Sequence, residues 1–86
     1  MNDETLIERL TELARSFGYE VRIETLDFPG GTCVLGGRRL IFLDAQGSVE
    51  ETIEILARAL AREDVESVYL LPEVRDAIDR FSLPLE

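Results

Sequence analysis

The chain has 86 residues, 45% of them hydrophobic, with 9 Lys+Arg against 18 Asp+Glu and a formal net charge of -9. That length holds one small domain, and that apolar content excludes a disordered tail. The acidic balance excludes the basic face that nucleic acid requires and is repelled by an anionic membrane surface.

Residues 3–17 read as a helix. Leu6, Leu10, Leu13 and Phe17 recur at helical spacing, supported by Ile7 and Ala14. Asn2 or Asp3 suits the cap, Asp3 and Glu4 suit the positive end of the helix dipole, and Gly18 suits the stop. Residues 19–25, YEVRIET, alternate, with Tyr19, Val21 and Ile23 on one side and Glu20, Arg22 and Glu24 on the other. This is a strand with one wet face.

FPGG at 28–31 reads as a turn, followed by a strand over 32–35. Gly36-Gly37 suits a two-residue hairpin turn, in which both central positions need positive φ. A third strand, RRLIFLD, follows at 38–44. Closing the hairpin there sets Leu35 opposite Arg38, Val34 opposite Arg39, Cys33 opposite Leu40 and Thr32 opposite Ile41. One face then holds Cys33, Leu35, Leu40 and Phe42, and the other holds Val34, Ile41 and Leu43.

GSVEETIEILARALAR is the strongest helix signal. Ser48 and Glu51 form a capping box, Val49, Ile53, Leu56 and Leu60 form the apolar stripe, and Glu54 precedes Arg58 by one turn. Residues 64–71, DVESVYLL, fit either a helical turn or a short strand. Pro72 opens a last helix over 72–81, buried through Val74, Ala77, Ile78 and Phe81, with Arg75–Asp79 and Asp76–Arg80 as exposed pairs. Residues 82–86 read as a loose tail. The expected fold is therefore α+β, in the order α-β-β-β-α-α: a three-stranded antiparallel meander packed with two to three helices, in one domain over 1–86.

The residue types remove much chemistry. Every cationic side chain is arginine, so a lysine Schiff base and a P-loop lysine are absent, and so is the histidine that commonly serves as base or metal ligand. No cofactor or metal is expected. The lone Cys33 cannot form an internal disulfide, and without a neighbouring base it reads as a small core residue rather than a nucleophile. The glycines connect strand to strand, so they serve turns rather than a phosphate loop. The adjacent Arg38 and Arg39 are the candidate anion contact, set against simple charge balance at a hairpin end. The carboxylates of 50–66 lack calcium-loop spacing and read as a solvated face. LARALAR follows an extended strand and a capped turn, as the His-Glu-x-x-His helix does in small zinc peptidases. Arg58, Ala59 and Arg62 stand where the two His and the Glu would be, which argues against zinc chemistry. No segment is apolar enough for a membrane span, and the acidic N-terminus is unlike a signal peptide, so a cytoplasmic protein is expected.

The run GGTCVLGGRRLIFLD, with ILARALAR and VYLLPEVRDAI, resembles a group of short, uncharacterised bacterial proteins. They share a Gly-Cys hairpin, a capped helix and a Pro-x-x-Arg start to the last helix. The resemblance spans roughly residues 15 to 80. It implies a cytoplasmic bacterial origin and no known activity, so no functional residue is carried over.

The expected function is that of a non-enzymatic interaction or scaffold protein. Helices on one side of the sheet would leave Val34, Ile41 and Leu43 as an apolar patch on the other, where a second copy would pair to form a homodimer. The alternative is an acidic regulator or inhibitor that binds a basic partner protein. A small enzyme acting through Cys33 or carboxylates is the third reading.

Overall fold

The computed structural model describes residues 1–82. The elements are α1 (Asp3–Ser16), β1 (Tyr19–Glu24), β2 (Gly31–Leu35), β3 (Arg38–Asp44), α2 (Val49–Leu60), a 3₁₀ turn (Val65–Ser67) and α3 (Pro72–Arg80). The α+β class and the element order follow the sequence reading. The tail expected at 82–86 lies, beyond Ser82, outside the described residues.

Local chemistry accounts for the helices. The Asn2 side chain accepts the Thr5 N–H at 2.8 Å, and Gly18, at φ 94°, ends α1 in the left-handed region. Both hydrogen bonds of the Ser48/Glu51 capping box are present at the start of α2. Pro72 occupies the first turn of α3. Residues 64–71 resolve into one 3₁₀ turn followed by an extended segment that joins no sheet. Glu54 pairs with Arg58 at 2.8 Å, but Arg75 reaches Glu66 at 3.1 Å rather than Asp79, and Arg80 lies over the Phe81 ring.

The sheet differs from the expected meander. Its order is β1-β3-β2, with β1 parallel and β2 antiparallel to the central β3. The hairpin register is as derived, Cys33 opposite Leu40 and Thr32 opposite Ile41. What moves is β1, which crosses past β3 instead of pairing with β2. The 25–30 connection spans the C-terminal end of β3 and is tied there. Ala45 N–H donates to Glu24 C=O at 2.8 Å, and Leu26 N–H donates to an Asp44 carboxylate oxygen at 3.4 Å. At its end Gly30 has φ 94°, and a Cβ there would lie 2.5 Å from the Phe42 carbonyl oxygen. Only glycine allows the chain to pass so close.

Helices α1 and α2 cover one face of the sheet, and α3 packs on those two helices rather than on a strand. The core joins Leu6, Leu10 and Ala14 of α1 to Leu56 and Leu60 of α2, Val74 and Ile78 of α3, and Ile41 and Leu43 of β3. Each large side chain buried there contributes about 1.5–3 kcal/mol.

Candidate functional site: the β2 edge and its groove

The face expected to be free is the one the helices cover. Ile41 and Leu43 are 0% and 2% exposed inside the core, so neither forms a surface, and the patch proposed with Val34 does not exist as a patch. The side chains of β3 alternate between the two faces as expected. Both faces of that strand are apolar, so alternation alone does not say which meets the helices, and it is the Ile41/Leu43 face that does. The uncovered face carries Cys33, Leu35, Leu40 and Phe42, together with Glu20, Arg22 and Arg38. Leu40 is only 3% exposed although no helix covers it. Its register neighbours Glu20 and Cys33, with Arg38 and Phe42 two residues to either side, close over it. Phe28 adds an edge-on contact to Phe42, with ring centroids 6.3 Å apart.

Arg38 and Arg39 do not converge on an anion, since consecutive strand residues face opposite ways. Arg38 pairs with Glu20 on the open face, where Arg22 also binds Glu20 at 2.9 Å. These two donors, Arg38 first, hold the Glu20 carboxyl below its ordinary value of 4.5. Arg39 turns to the helix side. Its guanidinium lies 4.2 Å over the Tyr19 ring, binds Glu63 at 2.9 Å and donates to the Phe17 carbonyl. The Tyr19 hydroxyl donates to the same Glu63 oxygen at 2.9 Å. Burial, and then Glu63, push the Tyr19 phenol above 10.0. Both arginines are thus occupied by the chain's own acceptors. Glu63 is the hub of this knot, and nothing local in the sequence marks it, because its partners are 24 and 44 residues away.

Cys33 is half-buried and outside the helix-packed core, rather than the core residue expected. Among the described residues no group of three or more His, Cys, Asp or Glu is placed to hold a metal ion. No helix among them is long and apolar enough to cross a membrane.

What the fold leaves open is the outer edge of β2. Gly36 and Gly37, at φ 56° and 82°, form a tight turn that closes on Leu35 and Arg38. Such a turn makes its flanking residues a hydrogen-bonded pair, and the antiparallel ladder then alternates. Leu35, Cys33 and Gly31 therefore bond to β3, while Thr32 and Val34 direct their N–H and C=O groups outward. The strand GTCVL carries no charge, and Val34 and Leu35 are 67% and 59% exposed. The opposite edge, β1, carries Glu20, Arg22 and Glu24, the charged protection usual for a free edge.

Helix α2 forms the other wall. Pro29 and Gly30 lie beside Glu51 and Glu54, and Thr32 to Val34 lie beside Arg62, so the helix and the chain leaving it run alongside β2 in the same sense. Three clefts line the seam. The first, about 190 Å³, joins Pro29 and Gly30 to Glu51, Glu54, Ile55 and Arg58. The next, about 230 Å³, joins Gly30, Gly31 and Thr32 to Ile55, Arg58, Ala59 and Arg62. The last, about 260 Å³, lies by Thr32, Cys33 and Val34 with Tyr19, Arg39 and Arg62. Arg62 sits at the junction of two of them and has no ion-pair partner among the described residues. Arg62 closes the helix signal GSVEETIEILARALAR but lies just beyond α2, and nothing local in the sequence sets it beside an edge strand. A separate cleft of about 280 Å³ between α1 and α3 is bordered by Tyr69, which is 86% exposed.

Comparison with known proteins assigns no family: no family model matches the chain, and no curated protein or solved structure matches it.

Proposed function

We propose that this chain is a non-catalytic interaction protein that docks its partner along the outer edge of β2. The observation that carries the reading is an uncharged edge strand with outward N–H and C=O groups and two exposed apolar side chains, Val34 and Leu35. Unpaired strand edges add an incoming strand through main-chain hydrogen bonds. Catalysis is the weaker reading, because the best placed polar groups are already engaged, Arg38 with Glu20, and Arg39 with Glu63 and the Phe17 carbonyl.

The test compares wild type with Val34→Lys, which places a charge on the edge, and with Tyr69→Ala, which alters the other exposed site. Co-purification from the native host and light scattering together register association with other proteins and with itself. The reading expects V34K to weaken association of either kind and Y69A to spare it. Association that survives V34K unchanged ends the reading.

Helix α1 favours a second reading. Asp3, Glu4, Glu8 and Glu12 are exposed along it and form no ion pair among the described residues. As an acidic regulator, the chain would meet a basic partner protein on this flank. Such binding weakens as salt rises and is indifferent to V34K.

A further inference from the structure

Building on the reading of β2 as a docking edge, we propose that its occupant is an extended acidic segment of another protein, added as a fourth strand beside β2 with alternate carboxylates facing Arg58 and Arg62. The main chain of such a segment meets the outward groups of Thr32 and Val34. Its side chains alternate between the two faces of the enlarged sheet. Those on the helix side enter the cleft lined by Gly30, Gly31, Thr32, Ile55, Arg58, Ala59 and Arg62. That lining holds two guanidinium groups and no carboxylate. Arg58 pairs with Glu54 and lies 5.9 Å over the Phe81 ring, so Arg62, which has no ion-pair partner among the described residues, is the principal contact. Side chains on the other face fall beside Cys33 and Leu35, where apolar groups fit.

The net charge of -9 does not oppose this placement. Screening limits exposed charges to a range of about 8 Å at physiological ionic strength, so local charge decides: arginines line the two clefts beside Gly31–Val34, and Glu51 and Glu54 stand only at the Pro29 end. The same arginines argue against a second copy as occupant. Pairing β2 with its own image aligns all five residues only when the two-fold axis passes Cys33. Arg62 lies alongside Thr32–Val34, so the axis would bring Arg62 of one copy against Arg62 of the other, with each Arg58 one turn away.

The probe is a short synthetic peptide alternating valine with glutamate, its binding to the full chain followed by fluorescence anisotropy. Saturable binding is expected, weaker at higher salt. It should be weakened about tenfold by Arg62→Gln, the loss of one charge-assisted hydrogen bond. It should also be abolished by N-methylation of alternate peptide amides, which removes main-chain donors without altering the protein. Equal binding of a valine–lysine peptide overturns the charge argument, and binding that tolerates N-methylation overturns strand addition. No binding of the glutamate peptide, with V34K still weakening association, overturns the acidic occupant and leaves the docking edge standing. A mass of twice 9.7 kDa that V34K halves names a second copy instead, and likewise overturns this proposal alone.

Discussion

The Tyr19 hydroxyl and the Arg39 guanidinium meet on a single oxygen of Glu63, each at 2.9 Å, while the guanidinium also lies over the Tyr19 ring. One carboxylate thereby fastens the start of β1, the start of β3 and the chain leaving α2. Arg39 and Glu63 keep 36% and 16% of their side-chain surface, so the pair is partly shielded from screening solvent. Tyr19→Phe and Glu63→Gln should each lower stability by about 1 kcal/mol. The double variant should lose less than the sum, by about 0.5–1.5 kcal/mol. Urea denaturation of the four proteins measures the cycle, and strict additivity would show that the hydroxyl is idle.

The same contact sets an alkaline limit. A phenol raised above 10.0 in the folded chain binds its proton more tightly there than in the unfolded chain. Its contribution is fully present below 10.0 and is lost as pH rises through the higher folded value. Ultraviolet titration should show a phenol ionising above 10.0 that is missing from Tyr19→Phe. The stability of Y19F should fall less above pH 10.0 than that of wild type.

On the open face the sign reverses. Glu20 is held below 4.5 by hydrogen bonds from Arg38 and then Arg22. Its contribution is present above 4.5 and fades as pH falls through the lower folded value. Carboxyl NMR should place the Glu20 midpoint under 4.5, and Arg38→Gln should move it upward more than Arg22→Gln does. Equal or absent movement would show that Arg38 is not the main donor.

The two kinds of glycine in the sheet separate strain from space. Gly36→Ala meets no atom within 4 Å and suffers only its φ of 56°, a cost of about 1–2 kcal/mol. Gly30→Ala adds to φ 94° a Cβ 2.5 Å from the Phe42 oxygen, backbone that a side-chain rotation cannot relieve. It should cost more than Gly36→Ala and should loosen the crossing loop, which hydrogen exchange at Leu26 and Ala45 would reveal.

Charge scanning of the hairpin distinguishes surface from core. Ile41→Lys and Leu43→Lys bury an unpaired charge and should abolish cooperative folding, at about 3–5 kcal/mol or more. V34K, on a side chain 67% exposed, should leave the melting temperature within a few degrees of wild type. A folded, dispersed NMR spectrum for I41K would contradict the burial.

Much of this architecture is local and so was legible. The capping box at Ser48 and Glu51, the proline at the head of α3 and the Gly36-Gly37 turn each specify structure through neighbours a few residues away, and the turn fixes the Cys33–Leu40 register with it. The strand order was not legible. It depends on a six-residue connection passing Phe42 and Asp44, and on parallel pairing of β1 with a strand about twenty residues on. The candidate site was hidden for a related reason. Ile41 and Leu43 alternate with the equally apolar Leu40 and Phe42, so periodicity found two faces without ranking them. Arg62 and Val34 belong to one groove only because α2 returns along β2.

The order β1-β3-β2 also imposes a sequence of events on folding. The β2–β3 hairpin joins residues adjacent along the chain and closes quickly, whereas β1 has no strand partner until β3 exists. During synthesis the α1–β1 segment must wait, its apolar stripe uncovered, while Arg39 to Asp44 emerge. The segment's eventual berth lies beside a strand already paired on its far side. The N-terminal third is thus a piece that docks only after the hairpin has closed, and α3, which packs on α1 and α2, must follow it.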